Sequence, residues 1–211
     1  MADKKISQLI PGTTLVGTEP IPMVQGGQTV ATTPNAISAL IKPYKVYTAL
    51  LTQSGGDDPL EVNGVGSLVK GVTYTILENN TPIDLSSFGA PNNNVGTTFC
   101  STLTGPINGD GPDSVILSYN TGAPVTTVLE NTIGNIWFTY TGVGDYLINS
   151  NTLFTINKTI QFLNSILVEE GCLSVNNYTD GNLIYLSSQS GGFDRVDGYF
   201  NNTPIEIRVY L

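Results

Sequence analysis

Pro204-Ile205-Glu206-Ile207-Arg208-Val209-Tyr210-Leu211 closes the chain with a strict alternation. Ile205, Ile207, Val209 and Leu211 fall on one face; Glu206, Arg208 and Tyr210 fall on the other. That period of two belongs to a half-buried strand. Val72-Thr73-Tyr74-Thr75-Ile76 alternates in the same way. Between and around these two stretches, β-branched and aromatic runs predict strands at 45–52, 97–102, 115–119, 125–130, 135–141, 145–149, 153–157, 159–168, 172–175, 183–187 and 198–201. Turn signals separate them: Gly55-Gly56, Asn63-Gly64, Asn108-Gly109, Asp110-Gly111, Gly142-Val143-Gly144, Asp180-Gly181, Gly191-Gly192 and Asp197-Gly198. Short strands at this spacing predict an all-β fold, an antiparallel β-sandwich or jelly-roll-like body.

Composition narrows the chemistry. Among 211 residues there is no histidine, which removes Ser-His-Asp and Cys-His catalysis and histidine-based metal sites. The hydrophobic share of 40% supports a packed core, but charged residues are only 12%, about half the usual share. Neutral polar groups or partner subunits must cover the surface. Cys100 and Cys172 are too few for a disulfide scaffold and are expected to stay reduced. No apolar run is long enough to span a membrane, and Lys4-Lys5 is not followed by the apolar stretch of a signal peptide. Synthesis in a cytoplasm, without membrane insertion, is the expectation.

Residues 1–45 read differently from the rest. They hold four basic and two acidic groups, net +2, whereas residues 46–211 hold four basic and fifteen acidic groups, net −11. A body this acidic repels phosphate backbones, so nucleic-acid binding is not expected. Glu19-Pro20-Ile21-Pro22-Met23-Val24 looks like an edge or polyproline-like segment, and Gly26-Gly27 marks a turn. Thr32 or Thr33 can cap a short helix at 34–41, with Pro34 at its first position and Pro43 stopping it. Ala36, Ile37, Leu40 and Ile41 share one face of that helix. The Pro and Gly content argues against a self-contained sheet here, so the segment is expected to dock on its own body or on another protein.

The motifs carry no catalysis. Gly64-Val65-Gly66 and Gly142-Val143-Gly144 begin like dinucleotide fingerprints but lack the third glycine and the helix, so both read as turns. Asn108-Gly109-Asp110-Gly111-Pro112-Asp113 is oxygen-rich but lacks calcium-loop spacing, and also reads as a turn. Glu169-Glu170 would point to opposite faces of a strand and reads as a solvated turn rather than a carboxylate pair. Thr75-Ile76-Leu77-Glu78-Asn79 echoes Thr127-Val128-Leu129-Glu130-Asn131, which shared strand-to-turn chemistry explains better than duplication. The Gly-, Pro- and Asn-rich stretch 89–112 makes 56–122 look like an insertion.

Lys4-Lys5-Ile6-Ser7-Gln8-Leu9, then Leu15 through Gly27 with Glu19-Pro20-Ile21-Pro22-Met23-Val24, then Thr32-Thr33-Pro34-Asn35-Ala36-Ile37, resembles the N-terminal segment of tailed-bacteriophage fibre and appendage proteins. The stretch from Tyr47 to Gly55, together with Ala123 through Gly134 and on to Tyr146, is similar to a domain of phage and prophage structural proteins in which the two pieces are contiguous. Gly71 to Ile76 and Asn94 to Phe99 resemble a further small β module of phage fibres. The resemblance implies a non-enzymatic structural virion protein, without cofactors, assembled as a homotrimer in a head or tail fibre or decoration. It implies that residues 1–45 attach to other virion proteins (capsid, neck or tail) and that the 46–211 body projects. The apolar candidates for attachment are Ile6, Leu9, Ile21, Val24, Ile37, Leu40 and Ile41. The alternative is a receptor-binding module whose loops, 89–94 or 187–192, contact a host surface glycan. A glycan depolymerase would need two close carboxylates on the outer surface.

Overall fold

The computed structural model describes residues 18, 20–35, 37, 43–81, 83–163, 171–177, 183–192 and 194–211. Among them sixteen strands form, β1 Ile21–Gln25 through β16 Thr203–Tyr210, and the paired strands are antiparallel. The fold is all-β. The chain divides into two compact units, Met1–Pro43 and Tyr44–Leu211.

In the first unit, β1 and β2 (Gln28–Thr32) form a hairpin, where the sequence argued against a sheet. Gly26 and Gly27 take φ of +60° and +77°, which makes a two-residue turn whose twist matches the strands. With Gln25 opposite Gln28 as the closing pair, alternation places Pro22 opposite Ala31 at a non-hydrogen-bonded site. There the missing N–H of proline costs no ladder bond. A helical turn begins at Pro34, with Ile37 N–H donating to Thr33 O at 3.1 Å. The rest of the expected helix lies outside the described residues.

In the second unit, one four-stranded sheet runs in the order β10 (Val125–Asn131), β3 (Tyr44–Thr52), β16, β13 (Thr159–Leu163). The other runs β11 (Ile136–Gly142), β12 (Asp145–Ser150), β15 (Leu183–Ser190), β14 (Gly171–Asn177). One core draws on both: Tyr47, Ala49 and Leu51 of β3 and Ile205, Ile207 and Val209 of β16 join Phe138, Tyr146, Ile148, Ile184 and Leu186. Each buried Val, Leu, Ile or Phe side chain among these contributes about 1.5–3 kcal/mol. β16 alternates buried and half-buried along its whole length, as its sequence demands. Tyr44 and Lys45, assigned from sequence to the N-terminal segment, belong to β3, where Tyr44 opposes Tyr210.

Between β3 and β10 the chain builds a second core, around Leu68, Tyr74, Ile76, Leu85, Phe88, Phe99, Val115 and Leu117. Its main sheet runs β4 (Pro59–Asn63), β9 (Val115–Asn120), β6 (Thr73–Asn79), β7 (Thr98–Cys100), flanked by the short pair β5 (Ser67–Leu68) and β8 (Gly105–Pro106). Thr52 and Val125 are direct partners across β3 and β10, so this module occupies the turn of a hairpin. Its entry and exit strands are stitched together. Gln53 Nε2 donates to Gly122 O at 3.2 Å, Thr121 N–H to Asp58 O at 3.2 Å, and Asn120 Nδ2 to Asp57 Oδ1 at 2.7 Å.

Two expected strands are loops. Residues 153–157 turn back at Asn157, whose φ is +63°, while Lys158 N–H and Thr159 Oγ1 both donate to Thr155 O. Residues 198–201 follow Gly198 at φ +85° and carry Phe200 into the core. Within the expected strand 159–168, only Thr159–Leu163 falls among the described residues. The two echoing pentapeptides share one device. β6 shifts register between Ile76 and Glu78, and β10 between Val128 and Glu130. Each bulge leaves a leucine exposed, Leu77 or Leu129, and each closing asparagine then accepts a turn N–H, Ile83 on Asn79 and Ile133 on Asn131.

Candidate functional site

Of the candidate attachment residues, Ile21, Val24 and Ile37 are described; Ile6, Leu9, Leu40 and Ile41 lie outside the described residues. The hairpin register separates Ile21 from Val24. Ile21 shares a face with Met23 and Val30, and Val24 shares the other with Pro22 and Ala31. Met23 is 40% exposed and Val24 72%, so apolar surface is presented on both faces. Met23 and Val30 were missing from the sequence-derived set. The two-residue glycine turn was the signal that fixes their pairing.

Trp137, the only tryptophan, lies on β11 and lines an open cleft of about 410 Å³. Asn92, Asn94 and Thr97 of the module and Asn151 of the sandwich complete its walls. The loop that carries Asn92 is held firmly. Asn93 Oδ1 accepts Leu85 N–H at 2.9 Å, Asn79 Nδ2 donates to Asn93 O at 3.0 Å, and Asn92 Oδ1 accepts Asn94 N–H at 3.0 Å. Hydrogen bonds from the Ser86 N–H, the Ser86 hydroxyl and Asn93 hold the Asp84 carboxyl below the usual range. Of the second expected loop, 187–192, only Gly191 and Gly192 form an exposed turn; Ser187–Ser190 belong to β15, and Ser187 and Ser188 are buried.

A second cavity, of about 510 Å³, opens where the module meets the sandwich. Tyr47 of β3, Cys100 of β7 and Thr126 of β10 converge there. Cys100 is a free thiol, 3.2 Å from Thr126 Oγ1, and burial pushes its pKa up. The side chain of Cys172 lies outside the described residues. Tyr47 is 1% exposed. Burial, then the neighbouring Cys100, raises its pKa, and Thr126 offsets this only in part. Thr126 Oγ1 sits near Tyr47 but is engaged with Cys100 and Gly71 O. Tyr47 Oη makes no hydrogen bond of normal geometry.

The densest polar cluster surrounds Asp197. Its Oδ1 accepts Gly144 N–H at 2.7 Å and the Tyr146 hydroxyl at 2.8 Å; its Oδ2 accepts the Tyr140 hydroxyl at 2.9 Å. Burial opposes its charge, but these bonds and one from Gly56 N–H outweigh it and lower its pKa. Burial, then donation to Asp197, pushes Tyr140 up to about 12. With both oxygens taken by donors, Asp197 clamps three loops rather than offering a base. Gly198 N–H adds a bond to Gln53 Oε1 at 2.6 Å.

Gly64-Val65-Gly66 and Gly142-Val143-Gly144 lie in turns. Residues 108–111 are irregular with bends at Asp110 and Gly111, and Pro112–Ser114, expected as a turn, forms a short 3-10 helix in which Ser114 Oγ donates to Gly111 O at 2.6 Å. Glu169-Glu170 lie outside the described residues. Among the described residues, no three His, Cys, Asp or Glu side chains gather as a metal site, and no helix is long and apolar enough to cross a membrane. No family model, curated protein or solved structure matches this chain.

Proposed function

We propose that this chain is a non-enzymatic structural protein of a tailed-phage virion, a short homotrimeric head or tail fibre or decoration. The N-terminal unit attaches it and the β body projects. The observation that carries this reading is the division at Pro43 and Tyr44. A small unit that leaves Met23 and Val24 exposed precedes a body with its own two cores. The motifs at 4–9 and 15–37 supply the resemblance to fibre attachment segments.

The outer face of the β3–β16–β13 sheet suits self-association. Ile160 and Phe162 are about half exposed there. The Arg208 guanidinium lies 4.7 Å from the Tyr44 ring centroid and 4.9 Å from that of Phe162, and is paired with Glu206. An arginine already paired with a carboxylate and lying over two rings is covered by a partner at lower desolvation cost than a free one. Three copies would also multiply weak attachment contacts through avidity.

Deleting residues 1–43 tests the attachment role. The truncated protein is expected to keep its β-sheet circular dichroism and its trimeric mass by native mass spectrometry, and to be absent from purified particles. Truncated protein on virions at normal copy number would place attachment in the body instead. A stable monomer of the full chain at micromolar concentration, with no oligomer on particles, would remove the trimer.

One observation favours a second reading, a receptor-binding module. The Trp137 cleft combines a stacking surface with asparagine side chains, the chemistry that holds sugar rings. In that reading Trp137→Ala lowers retention on a glycan array by about tenfold or more. Equal retention of the variant and the parent chain would reject it.

A further inference from the structure

The seam cavity is too large for an isolated structural water. At about 510 Å³ it would hold on the order of 17 waters at liquid density. It also falls in the size range of small-molecule sites. Most of its polar wall is already committed. Ser101 Oγ donates to Leu103 O at 2.8 Å. Asn131 Oδ1 accepts the Ile133 and Gly134 N–H groups, and its Nδ2 donates to Gly134 O at 2.7 Å. Asn135 Nδ2 donates to Thr98 O at 3.1 Å.

Asn135 Oδ1 and the Thr102 hydroxyl keep acceptor capacity, and two further groups can address a ligand. One is Tyr47 Oη, fully buried and unpartnered, at the end of the ring beside Cys100 and Thr126. The other is Lys70, the only charged residue in the lining and the only basic residue between positions 46 and 157. Among the described residues it forms no ion pair. Its exposed side chain places a positive charge at the rim of an otherwise acidic body. The remaining wall is largely apolar, from Pro91, Val128, Ile136 and the Tyr47 ring.

These groups decide the ligand class. A sugar carries a donor and an acceptor at every hydroxyl, more than the few uncommitted polar groups of these largely apolar walls can answer. An apolar ring body fits the walls, and a single anionic group answers the single cation. We propose that the cavity between the module and the sandwich binds a small aromatic or alicyclic anion, with Lys70 at its charged group and Tyr47 Oη as its buried hydrogen-bond partner.

The test uses the full chain and 8-anilinonaphthalene-1-sulfonate as probe, read by fluorescence and by calorimetric stoichiometry. The expected result is one site per chain. Lys70→Met weakens it about tenfold, as loss of a charge-assisted contact does. Tyr47→Phe, which keeps the ring, weakens it about fivefold. Alkylating Cys100 with N-ethylmaleimide, with the site verified by peptide mass, blocks the probe without mutation. Bound probe in turn slows that alkylation. Binding that is unchanged by Lys70→Met, or by Cys100 alkylation, overturns the proposal. So does a stoichiometry of several probes per chain, or tighter binding of glucuronate, an anion covered in hydroxyls, than of the naphthalene sulfonate.

Discussion

Replacing Asp197 with alanine lowers the unfolding free energy by about 3 kcal/mol, because buried donors lose their acceptor together. Tyr146 is fully buried, with its hydroxyl on Asp197, and Gly144 N–H has the same partner. Phe200, three residues on from Asp197, packs its ring edge-on to Tyr146 at 5.3 Å. Urea denaturation followed by the Trp137 fluorescence measures the loss. A change below about 0.5 kcal/mol would show that the clamp is incidental. The same carboxylate sets an acid limit. Its folded pKa lies below the ordinary 3.8, so its contribution is complete above that pH and is lost as pH falls through the folded value. Stability of the parent chain therefore drops more steeply below pH 3.8 than that of Asp197→Asn. Parallel slopes for the two proteins would remove Asp197 as the source.

Gly122→Ala is expected to be as damaging or worse, at about 4 kcal/mol. A Cβ at this position would lie 1.7 Å from Gly56 O, a backbone atom with no rotamer to retreat into. The clash falls where the two connections to the module run side by side, held by Gln53 on Gly122 O and by Thr121 on Asp58 O. Relief requires the connections to part, so the module loosens from the sandwich. Hydrogen exchange is expected to rise first at Gln53 to Asp58 and Asn120 to Ala123. Gly96→Ala is the control: unlike Gly122 it sits at positive φ, yet it meets nothing within 4 Å, so its cost is limited to local backbone strain of about 1 kcal/mol. Equal losses for the two variants would show that close approach is not what demands glycine at 122.

Much of the strand content was legible because it is written locally. β16 alternates in sequence and in burial, and β12 alternates in burial. The glycine pairs mark turns because positive φ has few other occupants. Misreadings fall where local preference was overruled. The stretch 153–157 has strand composition, yet Asn157 turns left-handed and Thr159 caps the turn. β4 was missed because it opens on Pro59 and lies at a sheet edge, where proline is tolerated and the sequence signal is faint. Pro and Gly content argues against the β1–β2 hairpin, but Pro22 sits where register renders it harmless and Gly26-Gly27 makes its turn.

By itself, then, the sequence determined an all-β chain, the difference in character between its first forty-odd residues and the rest, and an interruption between β3 and β10. Each follows from composition or from spacing over a few residues. Only tertiary structure decided which polar atoms are spent and which are left over. Asp197 meets Tyr146 and Tyr140 across 51 and 57 positions, and the Tyr47 hydroxyl stays unpartnered beside Cys100 and Thr126 from two other strands. Hydrogen-bond satisfaction is a property of the packed arrangement, not of any one segment, so no local pattern announces it.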